Sequence, residues 1–82
     1  MSYDKVKNAK SLLIGAKQSK KAIQQGKARE VVIATDADEQ LKQSLVQICR
    51  NHGVAVSYVD SMQGLGKACG IDVGAATATI LE

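Results

Sequence analysis

The stretch that decides the fold is Glu30-Val31-Val32-Ile33-Ala34, a run rich in β-branched residues in which apolar and polar positions do not alternate. A strand with one face in water normally alternates, whereas a strand that is covered on both faces is apolar almost throughout. We therefore predict a central strand at this position, with helices packed against both faces of its sheet.

The residues after this stretch predict a helix, a strand, a short helix and a last strand. Carboxylates favour a helix N-terminus and glycine favours its end, so the third helix of the chain is predicted to start near Asp36, Asp38 and Glu39 and to end near Gly53. Its apolar stripe is Leu41, Leu45, Ile48 and Cys49. A strand is predicted from Val54 to Val59, a short helix capped by Ser61 and ended by Gly70, and a last strand from Ala75 to Leu81.

The residues before this stretch predict two helices separated by a short strand. Val6, Ala9 and Leu13 recur at helical spacing, which predicts an opening amphipathic helix from Tyr3 to Lys10. A strand is predicted from Leu12 to Ile14. Gly15 interrupts the pattern, and residues 16–25 form the second helix before Gly26.

The predicted order αβαβαβαβ is typical of an α/β fold. Elements that alternate in this way bury a sheet between two layers of helices, which gives a three-layer α/β/α sandwich with a four-stranded mixed sheet. The chain has 82 residues, of which 45% are hydrophobic, and no proline. A chain of this size forms one core, so we predict a single domain over residues 1–82 without a deep catalytic cleft.

Cysteine usage and hydropathy indicate a cytoplasmic, soluble protein without a membrane partner. Cys49 and Cys69 lie twenty positions apart and form no C-x-x-C motif, which is typical of cytosolic thiols rather than of a disulfide framework. The first residues contain no long apolar segment, and no apolar run approaches the roughly 20 residues that cross a bilayer.

Charge is distributed unevenly along the chain, although the net charge is only +3. Residues 1–29 carry +7, from eight Lys/Arg against Asp4, whereas residues 30–82 carry −4, from three Lys/Arg against seven Asp/Glu. This asymmetry predicts a basic surface for a polyanion, and a merely solvated helix face is the alternative.

The second helix has two chemically different sides. One side carries Ser19, Ala22, Ile23 and Gly26, and the other carries Lys17, Lys20, Lys21 and Gln24. Like charges one turn apart destabilise a helix by about 0.2–0.5 kcal/mol, and an external anion would offset this cost. The N–H groups of the helix N-terminus after Gly15 add positive character, so this helix is a candidate to bind phosphate or guanine acceptors.

Glycines interrupt the short helix predicted near the end of the chain. They occur within Leu65-Gly66-Lys67-Ala68-Cys69-Gly70-Ile71-Asp72-Val73-Gly74. Glycine in a helix interior lowers stability by about 1 kcal/mol relative to alanine, so glycine at these positions needs a structural explanation. Close approach of another backbone is one explanation, and tight packing or a turn is the other. The spacing does not match a dinucleotide-binding loop.

Reactive residue types are present without the partners that catalysis needs. Ser61 and Cys49 have no identifiable base, and His52 lacks neighbouring His or Cys residues for zinc. We expect no metal, no cofactor and no enzymatic activity. Tyr3 and Tyr58 are the only aromatic residues. Because single-strand modules stack bases on aromatic platforms, the composition favours recognition of folded RNA through its shape and backbone.

Two motifs carry a resemblance to a known family. They are Gly15-Ala16-Lys17-Gln18-Ser19-Lys20-Lys21-Ala22-Ile23 followed by Gly26, and Leu65-Gly66-Lys67-Ala68-Cys69-Gly70-Ile71-Asp72-Val73-Gly74-Ala75-Ala76. They resemble the kink-turn-binding ribosomal proteins typified by archaeal L-seven-Ae and eukaryotic L-thirty-e, and the chain looks closest to the short bacterial members. The similarity spans essentially the whole chain.

The resemblance implies the α/β/α sandwich and binding to a kink-turn, an RNA helix bent by a bulge beside tandem sheared G·A pairs. In the family, the start of the second helix contacts those pairs, and the loop before the last strand covers flipped-out bulge nucleotides. By resemblance, the helix residues are Gly15, Ala16, Lys17, Gln18, Lys20 and Lys21, and the loop residues are Gly70, Ile71, Asp72 and Val73.

The chain departs from the family pattern at three positions. Lys17 replaces asparagine, Gln18 replaces glutamate, and Gly74 replaces the proline that commonly follows the loop valine. Lysine and glutamine still donate to guanine O6 and N7 or bond an adenine edge, so we expect a competent surface with altered base selectivity.

Three functional classes remain open on the same fold: a kink-turn RNA binder, a protein–protein adaptor and a small enzyme. A ribosome-associated structural protein without kink-turn specificity is a further alternative. The basic helix favours RNA, since an adaptor would present an exposed apolar patch there. The absence of a catalytic constellation disfavours an enzyme. The expected partner is a structured RNA bound by a monomer, and the candidates are ribosomal RNA in the ribosome, a riboswitch or another noncoding RNA.

Overall fold

Helices and strands alternate along residues 3–81, which are the residues that the computed structural model describes. The helices are α1 (Tyr3–Lys7), α2 (Ala16–Gln24), α3 (Glu39–His52) and α4 (Met62–Cys69), and the strands are β1 (Leu12–Ile14), β2 (Ala28–Ala34), β3 (Ala55–Val59) and β4 (Thr77–Leu81). The predicted α/β class and the order αβαβαβαβ are confirmed.

The four strands form one mixed sheet in the order β1-β4-β2-β3. Strand β2 is parallel to β3, whereas β4 is antiparallel to both of its neighbours, β1 and β2. It follows that β1, β2 and β3 all run in the same direction. Their last residues and the first residue of β4 therefore lie at one end of the sheet, which we call the carboxyl end, and the opposite end is the amino end.

Strand β2 is covered on both faces, as its sequence predicts. Val32 and Ala34 are 0% exposed and belong to a cluster formed with α1 and α4, whereas Val31 and Ile33, also 0% exposed, belong to a cluster formed with α2 and α3. Helices pair across each layer, α1 with α4 and α2 with α3. The predicted three-layer sandwich is confirmed, and β2 lies in its middle.

Side chains cap the N-termini of α3 and α4. Asp38 Oδ2 accepts a hydrogen bond from the Leu41 N–H at 3.1 Å, and Ser61 Oγ accepts one from the Gly64 N–H at 2.9 Å. Asp36 Oδ1 accepts from the Met62 N–H at 2.8 Å, so this carboxylate serves α4 and not the helix that follows it in the chain. Such caps satisfy N–H groups that have no acceptor within the helix.

The opening helix is shorter than predicted. The Asn8 N–H still bonds to Asp4 O at 3.0 Å, but the Ala9 N–H bonds to Val6 O at 3.2 Å, a tighter three-residue spacing that ends the helix near Lys7. Leu13, which the helical spacing included, lies in β1 and pairs with β4. The extension to Lys10 was wrong because pairing with β4 begins at Leu12.

Three strand boundaries also differ by one or two residues from the prediction. Strand β2 begins at Ala28 with an irregular register before Glu30, β3 begins at Ala55, and β4 begins at Thr77. Ala75 precedes β4 because its N–H bonds to Met62 O at 3.0 Å and holds it against α4, whereas Ala76 O still accepts from the Ala34 N–H next to the ladder.

Glu30 links three elements on the β2–β3 side of the sheet. Its carboxylate accepts hydrogen bonds from the Ser57 hydroxyl of β3 and from Lys5 Nζ of α1, the latter at 3.0 Å. The Ser57 hydrogen bond, followed by the Lys5 ammonium, holds the pKa of Glu30 below its ordinary value of 4.5 against the opposing effect of burial. The carboxylate form of Glu30 therefore stabilises the fold.

Glu30→Gln is expected to lower the free energy of unfolding by about 1 kcal/mol at neutral pH, because the amide loses the charge that Lys5 and Ser57 contact. The pKa of Glu30 is lower in the folded chain, so its contribution is present above 4.5 and is lost as the pH falls through the folded value. Urea unfolding at about pH 7 and about pH 3 checks this. A difference of equal size at both pH values would contradict it.

Candidate nucleic-acid interface

Gly15 forms the turn between β1 and α2. Its φ of 106° lies in the region that favours glycine, and a Cβ built there meets no atom within 4 Å, so the requirement for glycine is conformational. The Gly15 N–H donates to Thr77 O at 3.1 Å. This bond ties the start of α2 to the first residue of β4, at the carboxyl end of the sheet.

The N-terminus of α2 is open, unlike those of α3 and α4. No side chain caps it, its first turn contains no acidic residue, and within residues 3–81 the N–H groups of Ala16, Lys17 and Gln18 donate to no protein acceptor. These groups carry the positive end of the helix dipole, which favours an anion.

The two sides of α2 separate as predicted. Ser19, Ala22 and Ile23 are buried, and Ala22 and Ile23 pack against the sheet and α3. Lys17, Gln18 and Lys21 are exposed and Lys20 is half-buried, so the predicted basic residues line the outer side of the helix. Gly26, predicted on the packing side, lies beyond the end of the helix and is exposed. The outer side of α2 is thus available to a polyanion.

The loop that follows α4 runs back along that helix. The Ile71 N–H donates to Gly66 O at 3.0 Å, and the Ala75 N–H donates to Met62 O at 3.0 Å. Ile71 is half-buried against the α1–α4 cluster, whereas Val73 is 70% exposed. The two apolar residues therefore have different roles, because Ile71 anchors the loop and Val73 presents an apolar surface to solvent.

The helical glycine Gly66 lets this loop approach. A Cβ at Gly66 would overlap the backbone carbonyl oxygen of Val73 and would lie 3.0 Å from its carbonyl carbon. The sequence left two explanations open for Gly66. Close approach of another backbone is the correct one, and the approaching backbone is the loop that follows α4. A Cβ at Gly64 would similarly collide with the hydroxyl of Tyr3.

The two predicted segments are both anchored at the carboxyl end of the sheet. The Ala34 N–H donates to Ala76 O at 2.9 Å, and the Gly15 N–H donates to Thr77 O, so both the loop and the start of α2 are anchored on the same strand end. Open α/β sheets place ligands at this end of their strands. We call the surface formed by residues 15–21 and 70–73 the helix–loop surface.

A shallow groove extends this surface along the flank of α2. Its volume is about 300 Å³, and it is lined by Leu13, Gln18, Lys21, Ala22, Gln25, Lys27 and Leu81. Sequence reasoning missed Gln25 and Lys27 as site residues. Lys27 contributes to the +7 charge of residues 1–29, but neither Gln25 nor Lys27 belongs to a motif that would have singled it out.

The described residues hold no arrangement typical of a metal centre or an activated nucleophile. Within residues 3–81, no group of three or more His, Cys, Asp or Glu residues could bind a metal ion. Burial raises the pKa values of the Cys49 and Cys69 thiols, which favours the protonated, unreactive form. No helix in this part of the chain is long and apolar enough to cross a membrane.

Almost the whole chain is similar in sequence to known proteins. The model of the ribosomal protein L7Ae/L30e/S12e/Gadd45 family matches residues 2–82. An "RNA-binding protein" of Bacillus pumilus is 49% identical over 81 residues, covering 99% of both chains, and the "RNA-binding protein YbxF" of Geobacillus stearothermophilus is 46% identical over 82 residues, covering 100% of both.

A solved structure shows the same fold. The structure of the Giardia lamblia 15.5kD RNA binding protein superimposes with a TM-score of 0.86 and 30% identity, covering 98% of this chain and 68% of that one.

Proposed function

This chain belongs to the ribosomal protein L7Ae/L30e/S12e/Gadd45 family, and we propose that it binds structured RNA by recognising a kink-turn. The resemblance drawn from the two sequence motifs, including the similarity to YbxF-like bacterial members, is confirmed. The names of the relatives, each called an RNA-binding protein, support an RNA partner for this chain.

The observation that carries the proposal is the pairing of two unlike contacts on the helix–loop surface. The open N-terminus of α2 with Lys17 and Lys21 supplies N–H donors and positive charge, whereas the loop supplies exposed Val73. The N–H donors and positive charge suit phosphates and base edges, and the exposed apolar side chain suits an unstacked nucleotide. A regular duplex has no unstacked base for Val73, so this combination favours a bulged, bent RNA.

The structure gives less support to a protein–protein adaptor. Among residues 3–81, the large apolar side chains that are exposed are Tyr58 on β3 and Val73 in the loop, and neither forms a patch on the outer side of α2. A surface that binds another protein is expected to expose a contiguous apolar patch. A non-enzymatic role, a monomeric state and a cytoplasmic location stay predictions.

Conformational selection is the mechanism that we propose, because a surface complementary to the bend binds the kinked form better than the extended form. Protein added to an end-labelled kink-turn RNA, under low-divalent conditions where the free RNA is mostly extended, should raise fluorescence transfer between the ends. The control is a duplex of equal length without the bulge. Saturating binding with unchanged transfer would refute the mechanism, since a ligand with equal affinity for both states shifts nothing.

Val73→Ala is expected to weaken kink-turn binding by about 1 kcal/mol, with no change in the slope of log affinity against log salt, because the contact is apolar. The melting temperature of the free protein should be unaltered, since Val73 is 70% exposed. Ile71→Ala is the matched comparison: it removes half-buried surface, so it should lower the melting temperature as well. Loss of stability without loss of affinity in Val73→Ala would contradict the assignment.

The natural RNA can be identified by crosslinking in cells and sequencing of the bound RNA. We expect kink-turns to be enriched, whether the recovered RNA is ribosomal RNA, a riboswitch or another noncoding RNA. Recovery of RNA without any enrichment of bent, bulged helices would overturn the kink-turn part of the proposal.

A further inference from the structure

A second cationic groove lies at the amino end of the sheet, away from the start of α2 and the loop. Its volume is about 670 Å³, and its cationic lining consists of Lys5, Lys10 and Arg29. Asn8 and Ser11 add side chains that can donate hydrogen bonds, and Ile80 and Leu81 contribute apolar surface. The proposed contact with the kink-turn uses none of these residues.

Positive charge in this groove is only partly neutralised. Glu30 is the one carboxylate among the described lining residues, and it pairs with Lys5 at 3.0 Å. Lys10 and Arg29 are exposed, and neither forms a salt bridge with any residue between positions 3 and 81. As far as residues 3–81 are concerned, these two cations therefore remain available to an external anion.

The groove adjoins the one along the flank of α2 at the end of β4, although the first lies on the α1 side of the sheet and the second on the α2 side. Leu81 lines both grooves, Lys27 lines the flank groove, and Arg29 lines the groove at the amino end. Exposed cations line both grooves, Lys21 and Lys27 the flank groove and Lys10 and Arg29 the groove at the amino end, and we call these four residues the cationic track. The nine residues of α2 span about 13 Å, so this track leads from the helix–loop surface at the start of the helix to a point beyond its end.

We propose that one arm of the bound RNA continues along this track and places its phosphate backbone in the groove at the amino end. This inference rests on the proposed RNA-binding function and adds a second contact to it. Charge complementarity, and the contact of the two grooves at Leu81, both favour the same RNA as the occupant. The lining has cations and small hydrogen-bond donors but no aromatic side chain for base stacking, so the contact depends on the backbone and not on base sequence.

The test compares a minimal kink-turn with two longer RNAs, in each of which one arm is extended by a helical turn. We expect extension of one arm to tighten binding several-fold and extension of the other arm to have no effect. Arg29→Gln should abolish this gain, reduce the salt slope for the long RNA by about one, and leave affinity for the minimal RNA unchanged. Lys10→Gln should act in the same direction.

Arg50→Gln is the matched control, because Arg50 is also exposed but lies on α3, outside this groove. Melting curves establish that each variant is folded. The inference is overturned if neither extension tightens binding, if the gain persists in Arg29→Gln, if the minimal RNA loses as much affinity as the long one, or if Arg50→Gln has the same effect.

Straight duplexes of the same lengths separate this inference from the proposed function. If the wild-type protein binds them as tightly as kink-turns, kink-turn recognition fails, and a gain with length that Arg29→Gln abolishes still supports the track. If kink-turns are preferred but affinity does not depend on arm length, the track fails and the proposed function stands.

Discussion

Gly66→Ala is expected to lower the melting temperature by more than about 10 °C, because the new Cβ would overlap the carbonyl oxygen of Val73. Overpacking against backbone cannot be relieved by a change of rotamer, so the cost should reach about 3 kcal/mol. At temperatures where the variant is folded, the loop is displaced from α4 and kink-turn affinity should fall. Thermal melting and a binding titration measure the two effects.

Gly74→Ala provides the matched control in the same loop. A Cβ there lies 3.4 Å from its nearest neighbours in Met62, which is an ordinary contact, and Gly74 does not have a positive φ. We expect a change in stability within about 0.5 kcal/mol. Equal destabilisation by the two substitutions would show that the loop is sensitive to any side chain, which would contradict the specific role of Gly66.

Removing both exposed lysines of α2 by Lys17→Gln with Lys21→Gln is expected to weaken kink-turn binding at least tenfold, or about 1.4 kcal/mol. The loss of two cations should also lower the salt slope by about two, since each phosphate contact releases about one counterion. Stability should instead be unchanged or slightly higher, because like charges one turn apart cost about 0.2–0.5 kcal/mol in the free protein.

Arg50→Gln again serves as the control for charge, and it should leave kink-turn affinity unchanged. Lys42 is a poorer control, because its Nζ donates to Thr35 O at 2.6 Å and pairs with Glu39 at 3.1 Å, so its removal disturbs α3. If the double lysine variant loses stability together with affinity, or if the Arg50 variant loses as much affinity, the helix–loop surface is assigned wrongly.

Local patterns predicted the fold because they agree with the tertiary structure almost everywhere. Residues 31–34 are apolar on both sides, and they are indeed buried by a helix layer on each face. The exception is the end of α1, where Val6, Ala9 and Leu13 keep a helical spacing by chance. Pairing of β1 with β4, a contact between residues nearly seventy positions apart, overrides that local spacing.

The candidate site was less predictable than the fold, because its geometry depends on contacts that are distant in sequence. Nothing local indicates that Gly15 bonds to Thr77, or that Val73 is exposed while its near neighbour Ile71 is half-buried. The glycine at position 66 looked equally suited to a turn or to a close approach, and only the position of the Val73 carbonyl decides between them. Lys27 lay outside every motif.

The central position of β4 has a consequence for how the protein is made. Within residues 3–81, strand β1 pairs with β4 alone, and β4 also fills the position next to β2. During synthesis, residues 12–14 and one edge of the apolar β2 therefore remain unpaired until residues 77–81 have left the ribosome. The pairing of β2 with β3 does not depend on β4, but the other half of the sheet does, and a nascent chain stalled before Thr77 presents an open, aggregation-prone edge to the cell.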